Sequence, residues 1–449
     1  MVNYRIEETY KIFKEFFTMA SFWDNVKDNR RLFWAYIPLL LLYATSYFQR
    51  IGIPGTIFNQ LNLSYGFTAT QIAGIGTAFV CVYSLCQLFV GMLADKFCGI
   101  RVITWGGAIF CAGVIGFPLV CGNLWAMYAM RFLTGLGAST MYLSIVKETD
   151  RLFGRQNYSV YLGIVYFVGY SGGLFGTYPF ERLNNHFNWI DVLMVIGVVS
   201  VAMYLIVLFT KRIIPPGPIA KTKISFRPLW YFLRNPYMLM LIFCSSIIFA
   251  TYSTIQMVFG KKFLQDYVGL SSSGAAKVIF CQTFTCMLTL LGFGTLIRLM
   301  GNRRKPQMIF SASLAFLNTL AMFLVMIYGL NPKFFIAGFI LYAVASGSAV
   351  AFSLVAQEIN ARDTMTSATG LNNLCNYLFV AVGPLLIGKL LDSYVSRDMF
   401  AVGQKVIYPG IAYQQVFGLL LIPTGIALIM SFFLPETRGH YLHQHLPEK

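Results

Sequence analysis

The sequence predicts an all-α membrane protein with twelve transmembrane helices in two pseudo-symmetric six-helix bundles. The first observation is composition: of the 449 residues, 57% are hydrophobic and only 11% are charged, and the mean hydropathy is +0.65. Soluble domains carry about 25% charged residues, so this chain is expected to be solvated mainly by lipid. The other two observations are the number of apolar segments and their division into two similar halves.

Twelve apolar segments follow one another, and each has the roughly 20 residues that cross about 30 Å of hydrocarbon. The first six lie at 32–58, 69–94, 101–121, 124–147, 158–180 and 189–211, and the second six at 237–263, 272–299, 306–328, 333–358, 365–392 and 412–433. The two sets predict an N-terminal bundle over 32–211 and a C-terminal bundle over 237–433.

The segments outside the two bundles are basic. Residues 1–31 interleave aromatic and lysine side chains, which predicts an amphipathic segment on the inner membrane surface, with a partner-binding tail as the alternative. In this segment no apolar run precedes a small-residue cleavage site, so no signal peptide is predicted. Residues 212–236 form a basic, proline-punctuated linker, and residues 434–449 form a short tail.

The distribution of basic residues predicts the orientation of the chain. The net charge is +17, which in a soluble protein would indicate nucleic-acid binding. In membrane proteins, Lys and Arg are retained on the cytoplasmic side, and here they are concentrated in the linker and in the loops on the side of the termini. We therefore expect both termini in the cytoplasm, a location in the cell (inner or plasma) membrane, and no nucleic-acid partner.

A charged turn between the second and third apolar segments recurs in the second half. Gly91–Arg101 reads GMLADKFCGIR, and Gly294–Arg304 reads GTLIRLMGNRR between the eighth and ninth segments. Arg298 stands at the position of Asp95. A turn this short makes its flanking helices antiparallel neighbours, with Asp95 expected to cap the helix that follows and Arg101 to hold the turn at one membrane surface.

A second repeat joins the fourth and tenth segments. Gly137 precedes Glu148 by eleven residues, and Gly347 precedes Glu358 by eleven residues. Both acids therefore fall at the same end of their segments. Internal repeats of this kind are typical of transporter folds.

Four motifs resemble those of the major facilitator superfamily, and together they cover nearly the whole chain. They are Gly91–Arg101, Arg131–Gly137, Gly383–Gly388 and Pro435–Gly439. The first departs from the commonest family form at Cys98 and Ile100. The resemblance implies two six-helix bundles that rock about a central substrate site, which opens alternately to each side of the membrane.

Arg50 is the most informative single residue. It lies well inside the first apolar segment, where an unpaired charge costs at least about 2.5–3.5 kcal/mol. Tyr43, Tyr47 and Arg50 follow a helical spacing and share one helical face. A guanidinium binds carboxylate or phosphate through two parallel hydrogen bonds, which favours a substrate anion as its partner. The alternatives are an Arg that reaches the lipid headgroups or pairs with backbone carbonyls.

The surroundings of Arg50 favour a carboxylate. Tyr47–Arg50 resembles the Y-x-x-R of organophosphate exchangers and the Y-x-D-R of anion:cation symporters, in which the arginine binds the substrate anion or supports its site. Phosphate-ester exchangers add a basic residue in the seventh helix, where this chain has the uncharged Thr251–Gln256. Lys261 and Lys262 come later, near the outer end. A carboxylate that needs one guanidinium is therefore favoured over a dianionic phosphate that needs two cations.

Other polar side chains are expected to complete the central cavity. Tyr170 lies in the fifth segment, Gln256 in the seventh, and Asn373 and Asn376 in the eleventh. Amides within lipid-buried helices usually face protein or a cavity, so these residues join the three of the first segment as the predicted substrate-binding set. The glycines beside Tyr170 are expected to allow close helix packing instead of binding a ligand.

A further set of residues is predicted to act in coupling or gating. Arg131 resembles the arginine that the superfamily often uses in proton coupling, and the alternative is a structural Arg that binds backbone carbonyls. Glu148 and Arg155 reproduce the E-x6-R spacing of sugar porters, in which such pairs close the inward face. Glu358 has Arg362 one helical turn on as a substitute partner. The predicted set is Arg131, Glu148, Arg155, Asp95, Arg101 and Glu358.

The sequence indicates a transporter and not an enzyme. No nucleotide-binding loop, metal-ligand cluster or nucleophile–base arrangement is visible, and the loops are too short to supply a soluble catalytic face. Most of the nine cysteines lie inside apolar segments without ligand spacing, so they are interpreted as packing residues. We therefore expect no cofactor and no metal.

The predicted function is secondary active transport of a small organic anion, by proton or ion symport or by exchange. The expected partners are a small-molecule substrate and the lipid bilayer, and the protein is expected to be a monomer. One alternative is an efflux antiporter for drugs and other amphipathic or cationic compounds, which the scarcity of buried acids disfavours. The other is a transporter-like sensor that binds its ligand and signals through its N-terminal segment.

Overall fold

The computed structural model of the chain describes residues 30–215, 227–360, 365–396, 400 and 402–440, and every regular element in these ranges is a helix. Within them, the side chains at 88, 91–92, 95–96, 154–160, 227–229, 291, 295, 298 and 365–367 are not described. The predicted surface segment at 1–31, except its last two residues, lies outside the described residues, as do residues 216–226 of the linker and 441–449 of the tail.

The helices follow the predicted division into two halves. The N-terminal half contains α1 (Arg30–Gly52), α2 (Phe58–Tyr65), α3 (Ala69–Phe97), α4 (Gly99–Leu119), α5 (Leu124–Phe175), α6 (Tyr178–Asn184) and α7 (Trp189–Thr210). The C-terminal half contains α8 (Arg227–Arg234), α9 (Pro236–Thr254), a π-helical turn (Ile255–Phe259), α10 (Gly260–Asp266), α11 (Ser272–Leu299), α12 (Lys305–Ile327), α13 (Phe334–Ser348), α14 (Val350–Glu358), α15 (Met365–Asp392) and α16 (Gly410–Phe433).

Helix α5 folds back on itself within its length. The hydroxyls of Tyr142 and Tyr166, 24 residues apart in sequence, lie 2.5 Å from each other, whereas a straight helix would separate them by about 36 Å. The rings of Phe153 and Tyr161 stack with their centroids 3.8 Å apart, which places the reversal around these residues. Helix α5 therefore supplies two antiparallel spans. In the described part of the chain, nine other helical segments are long and apolar enough to cross a membrane. Helix α1 has 23 residues, which is the length of a span, and it brings the number to twelve.

The first span is interrupted next to Arg50. Helix α1 ends at Gly52, and a short 3-10 turn precedes α2. Pro54 has no backbone N–H and cannot continue the α-helical bonding pattern. The interruption leaves the carbonyl of Ile53 available to a side chain from another helix. Because α2 continues the span to the loop before α3, Arg50 lies within the membrane and not at its surface.

Glycines in the second limb of α5 bring it against α1. A Cβ added at Gly172 would lie 2.0 Å from the carbonyl oxygen of Ala44, and Gly176 faces Gly52 across the same contact. The glycines therefore serve close packing, as predicted. This contact holds Tyr170, on the same limb, beside α1.

The two membrane surfaces can be named by the chain ends. We call the surface where α1 begins and α16 ends the terminal surface, and the other one the opposite surface. The turn at Arg303 lies at the terminal surface, and the turn at Lys333 lies at the opposite surface, because α12 crosses between them.

Cysteine labelling tests this topology together with the predicted cytoplasmic location of the termini. In a variant without the native cysteines, a membrane-impermeant maleimide added to intact cells should label Lys333→Cys. It should label Arg303→Cys only after permeabilisation, since both positions are exposed but lie on different sides. Labelling of both positions in intact cells would contradict the topology, and the reverse pattern would contradict the orientation alone.

Candidate functional site

The guanidinium of Arg50 lies at the contact between the two halves. Arg50 is only 8% exposed, and its Cζ lies 3.9 Å from the ring centroid of Tyr47 on the same helix. Its Nη1 donates a hydrogen bond of 2.8 Å to the hydroxyl of Tyr377 in α15. Arg50 therefore joins α1 of the N-terminal half to α15 of the C-terminal half.

The charge of Arg50 has no acidic partner among the described residues. Its Nε is buried and has no hydrogen-bond acceptor in the described part of the chain. A cavity of about 10 Å³, room for roughly one water molecule, lies beside Arg50 and is lined in part by Thr77 and Ser253. A buried cation without a counter-ion is costly, so this arrangement favours an anion as its partner.

Tyrosine rings surround the guanidinium. Tyr47 packs against Tyr43 and Tyr170, with ring centroids 5.1 Å and 5.4 Å away. From the other half, Tyr377 packs edge-on against Tyr83 at 5.1 Å. The site thus combines one cation with apolar ring faces and hydroxyl groups, which suits an organic anion better than an inorganic one.

The predicted amides do not contact Arg50 through any described hydrogen bond. Gln256, in the π-helical turn, donates to Thr283 of α11 at 2.7 Å. The amide oxygen of Asn376 accepts hydrogen bonds from Ser245 and Ser246 of α9 at 3.0 Å and 2.9 Å, so it joins α15 to α9. Asn373 is half-buried. Whether these amides touch substrate therefore stays a prediction.

Three further side chains lie in polar stretches of the eleventh, seventh and eighth apolar segments but are not in the predicted substrate-binding set: Tyr377, Tyr252 and Gln282. Tyr377 is the hydrogen-bond partner of Arg50. The buried hydroxyl of Tyr252 and the amide nitrogen and oxygen of Gln282 have no hydrogen-bond partner among the described residues. The signal in the sequence was their location in polar stretches of apolar segments. Which helix they face depends on the contact between the two halves, which periodicity does not encode.

Arg131 binds backbone carbonyls. It is 1% exposed, its Nε donates to the carbonyl of Ile75 at 3.3 Å, and its Nη2 donates to the carbonyl of Ile53 at 3.2 Å. Its Cζ lies 4.6 Å from the ring centroid of Phe79. This geometry corresponds to the structural alternative, in which Arg131 joins α5 to α3 and to the interruption after α1.

The buried carboxylate of Glu148 connects α5 to the turn before α4. One oxygen accepts from the N–H of Ile100 at 3.0 Å and from the thiol of Cys98 at 2.9 Å. The other oxygen accepts from Nε of Arg151 at 2.9 Å. Burial, and next the hydrogen bond to the carboxylate, raise the pKa of the Cys98 thiol, so the thiol stays protonated and donates.

For three other predicted gating residues, Asp95, Arg155 and Arg101, the structure describes no side-chain hydrogen bond. The side chains of Asp95 and Arg155 lie outside the described residues, so the predicted Glu148–Arg155 pair stays a prediction. Arg101 is half-buried, and its side chain makes no hydrogen bond to another described residue. The described ion-pair partner of Glu148 is Arg151, one helical turn away.

Glu358 occupies the equivalent place in the second half. Arg304, in the turn before α12, donates from Nη2 to Glu358 at 3.0 Å, and the hydroxyl of Thr437 donates to its other oxygen. Glu436 accepts from the N–H groups of Arg304 and Lys305 at 2.8 Å and 3.1 Å. The motif after α16 is therefore connected to the turn between α11 and α12. Arg362, the predicted substitute partner, lies outside the described residues.

Removal of the Glu148 charge should change the rate of transport more than the affinity. Glu148→Gln can still accept from Ile100 but removes the carboxylate that pairs with Arg151. Because the group acts on conformation, we expect slower turnover with substrate affinity within about threefold of the parent. Uptake rates and equilibrium binding on the same preparation measure the two effects. Asp150→Asn, an exposed neighbour, is the control, and a large loss of affinity at unchanged turnover would instead place Glu148 in the binding site.

The opposite surface is closed by an ion pair between the two halves. Lys261 of α10 contacts the carboxylate of Glu181 in α6 and the carbonyl oxygen of Thr56, and both charged side chains are buried. A hydrogen bond of 3.1 Å from Asn185 to Ser273 lies at the same surface. We call these contacts the opposite-surface seal.

Asp392, at the end of α15, adds to the opposite-surface seal. Its carboxylate accepts from the N–H groups of Ala69 and Thr70 at 2.9 Å each, and from the hydroxyl of Thr70 at 2.6 Å. These are the first N–H groups of α3, which lack partners within their own helix. A residue of one half therefore caps a helix of the other half, and separation of the halves at this surface must break that cap.

One protein-family model and several solved structures match this chain. The family model described as Major Facilitator Superfamily matches residues 39–384. The chain is similar in structure to a bacterial homolog of the human lysosomal transporter Spinster (15% identity, TM-score 0.70, 92% of this chain and 98% of that one). It is also similar to the nucleoside transporter NupG (15%, 0.67, 89% and 98%) and to a D-xylose-proton symporter (12%, 0.70, 92% and 100%). Comparison with curated proteins finds no match.

Because the sequence identities are only 12–15%, the structural similarities show the fold alone. They confirm the predicted all-α fold of twelve transmembrane helices in two bundles, while the narrower resemblance to the anion:cation symporters and organophosphate exchangers stays a prediction. The family match covers most of the chain and both halves. The chain therefore belongs to the Major Facilitator Superfamily and is a multi-pass membrane transporter, not an enzyme.

Proposed function

We propose that this transporter moves a small organic anion, a carboxylate in preference to a phosphate ester. The observation that supports this most is the guanidinium of Arg50, which is buried at the contact between the halves with an unsatisfied Nε and no acidic partner among the described residues. A carboxylate that enters from either side would supply the missing charge and accept two parallel hydrogen bonds.

The preference for a carboxylate rests on the other buried cations. Lys261 and Lys262 lie on the same span as the π-helical turn, but they form ion pairs with Glu181 and Asp266. Arg131 donates to backbone carbonyls. Arg131 keeps one buried nitrogen, Nη1, without a partner among the described residues, but only Arg50 of the two borders the small cavity between the halves. We therefore assign the substrate to Arg50, and one guanidinium matches one carboxylate.

The proposed site combines Arg50 with the tyrosines of both halves. Tyr47 and Tyr377 contact the guanidinium, and Tyr43 and Tyr170 extend the aromatic wall. The amides Gln256, Asn373 and Asn376 are proposed to complete the site, and Gln256 and Asn376 would exchange their hydrogen bonds to Thr283 and to Ser245 and Ser246 for bonds to the substrate. We further propose that the protein acts as a monomer in the cell membrane with both termini in the cytoplasm, and that transport is coupled by symport or exchange.

Alternating access gives the opposite-surface seal a role in the cycle. The substrate can reach Arg50 from the opposite surface only after Lys261 and Glu181 separate and Asp392 leaves the end of α3. Because Glu148 and Glu358 tie spans to turns at the terminal surface, they are proposed to act on closure of that surface, together with Arg155, Asp95 and Arg101.

Counterflow in proteoliposomes tests the proposal. Vesicles preloaded with unlabelled mono- and dicarboxylates, phosphate esters, sugar acids or organic cations are diluted into the labelled compound, with and without a proton gradient. We expect transient accumulation with carboxylates. Accumulation only with cations would favour the efflux antiporter, and binding without counterflow would favour the sensor.

A further inference from the structure

An apolar pocket of about 400 Å³ lies in the C-terminal half between α9, α15 and α16. Ala250 and Thr254 of α9 contribute to its floor, and facing residues of α15 and α16 form its walls. Val382, Leu386 and Leu419, on these walls, are 52%, 63% and 57% exposed. In a membrane-spanning segment such side chains face lipid, so the pocket opens into the bilayer. Its volume falls in the range of ligand sites, about 300–1,000 Å³.

The pocket is separate from the Arg50 site, although the two share helices. Thr254 and Gly383 line the pocket, whereas Ser253 and Pro384, their neighbours along the chain, line the small cavity beside Arg50. Consecutive residues of a helix point in different directions. Helices α9 and α15 therefore form a wall between the two spaces.

A lysine follows the pocket-lining residues of α15 towards the opposite surface. Lys389 comes seven residues after Val382 and three after Leu386, which places it on the same face of the helix. It lies in the last turn of α15 and is exposed. Among the described residues, no carboxylate pairs with it. The pocket thus has hydrocarbon walls and a free cation at the level of the lipid headgroups.

We propose that this pocket binds one acyl chain of an anionic phospholipid from the leaflet at the opposite surface, with Lys389 paired to the headgroup phosphate. The apolar walls suit a hydrocarbon chain, and protein interiors rarely contain unfilled spaces of this size. The opening towards the bilayer makes membrane lipid the source. The exposed lysine selects an anionic headgroup over a zwitterionic one.

Native mass spectrometry of the full chain tests headgroup selection. The protein is extracted from bilayers with equal amounts of phosphatidylglycerol and phosphatidylcholine, and the retained lipid is identified. We expect preferential retention of phosphatidylglycerol, and Lys389→Gln should reduce that preference about fivefold, the effect of one interfacial cation. Lys333→Gln, an exposed lysine at the same surface away from the pocket, should leave the preference unchanged.

A pocket-filling change tests the acyl-chain site. Leu420→Trp, within the pocket, should abolish retention of both lipids, whereas Ile429→Trp, at a 62% exposed position of α16 outside it, should not. If Leu420→Trp does not fold, Ile387→Trp, from a half-buried position on the α15 wall of the pocket, provides the same test. Equal retention of the two lipids by the parent protein, or undiminished lipid on the pocket variant, would overturn the proposal. Displacement of the lipid by equimolar oleate would overturn the assignment to a bilayer phospholipid.

Discussion

Arg50→Ala should abolish high-affinity substrate binding and leave the protein at least as stable as the parent. Replacement by alanine loses the hydrogen bond to Tyr377, but it also removes the desolvation cost of a buried charge without an acidic partner, and this second effect is the larger, so the melting temperature should hold or rise. Hydrogen bonds to charged groups contribute about 1.5–3 kcal/mol each, so loss of two of them should weaken binding roughly 10²- to 10⁴-fold. The combination of unchanged stability and lost binding identifies a substrate-binding arginine.

Equilibrium binding on purified protein, with the substrate found by counterflow, measures the effect. Arg50→Lys should recover little, because a point charge does not reproduce the planar two-bond geometry of a guanidinium. Arg182→Ala, an exposed arginine at the opposite surface, is the control for loss of an arginine and should bind normally. Unchanged affinity of Arg50→Ala would exclude the anion hypothesis in favour of efflux. A fall in both affinity and melting temperature would indicate a structural role.

Tyr47 allows the charge and the hydroxyl to be separated. The ring lies under the guanidinium at 3.9 Å, so Tyr47→Phe keeps that contact. A substrate that also bonds the hydroxyl should then bind more weakly, by roughly 1–3 kcal/mol. The same titration measures this smaller loss, and Tyr47→Phe affinity equal to that of the parent would exclude the hydroxyl as a contact.

The spans could be predicted from the sequence because their lengths are set by the bilayer. The segment predicted at 69–94 corresponds to α3, Ala69–Phe97, and the one at 189–211 to α7, Trp189–Thr210. The importance of Arg50 followed from the same physics, since a charge in an apolar segment is too costly to retain without a partner or a function. Both inferences need only local sequence.

The partners of the charged residues could not be predicted in the same way. For Glu358, helical spacing suggested Arg362, but the described partner is Arg304, 54 residues away in another turn. Tyr377 meets Arg50 only because the two halves come together, 327 residues apart in the chain. Helical periodicity gives the face on which a residue lies, but not the helix that the face meets.

The partner of Lys261 could not be predicted from local sequence either. The sequence predicted Lys261 near the outer end of the seventh segment, and in the structure it lies at the opposite surface. There, however, it is 5% exposed and paired with Glu181 of the other half. A partner 80 residues away in a separate bundle leaves no local signal. The functional importance of this lysine therefore follows from the structure and not from its position near the end of an apolar segment.

Glu181→Gln should shift the transporter away from the state that is closed at the opposite surface. The change leaves the ammonium of Lys261 buried without its carboxylate, and breaking a buried ion pair in this way costs about 3–5 kcal/mol. The cost applies only while the halves are closed, because water reaches Lys261 once they separate. A cysteine pair at Asn185 and Ser273, whose side chains lie 3.1 Å apart across the seal, reports closure by disulfide formation in a variant without the native cysteines.

We expect the cross-linking yield to fall in Glu181→Gln and to recover in the double variant Glu181→Gln/Lys261→Gln, because removal of both charges leaves no unpaired ion. Asp266→Asn is the matched control: it breaks the ion pair with Lys262, which lies within one half, so the yield should stay at the parent level. An unchanged yield in Glu181→Gln would mean that the pair does not hold the halves together. A loss of cross-linking that persists in the double variant would indicate local disruption of α6. That variant has no ammonium at position 261, so an unpaired charge could not explain the loss.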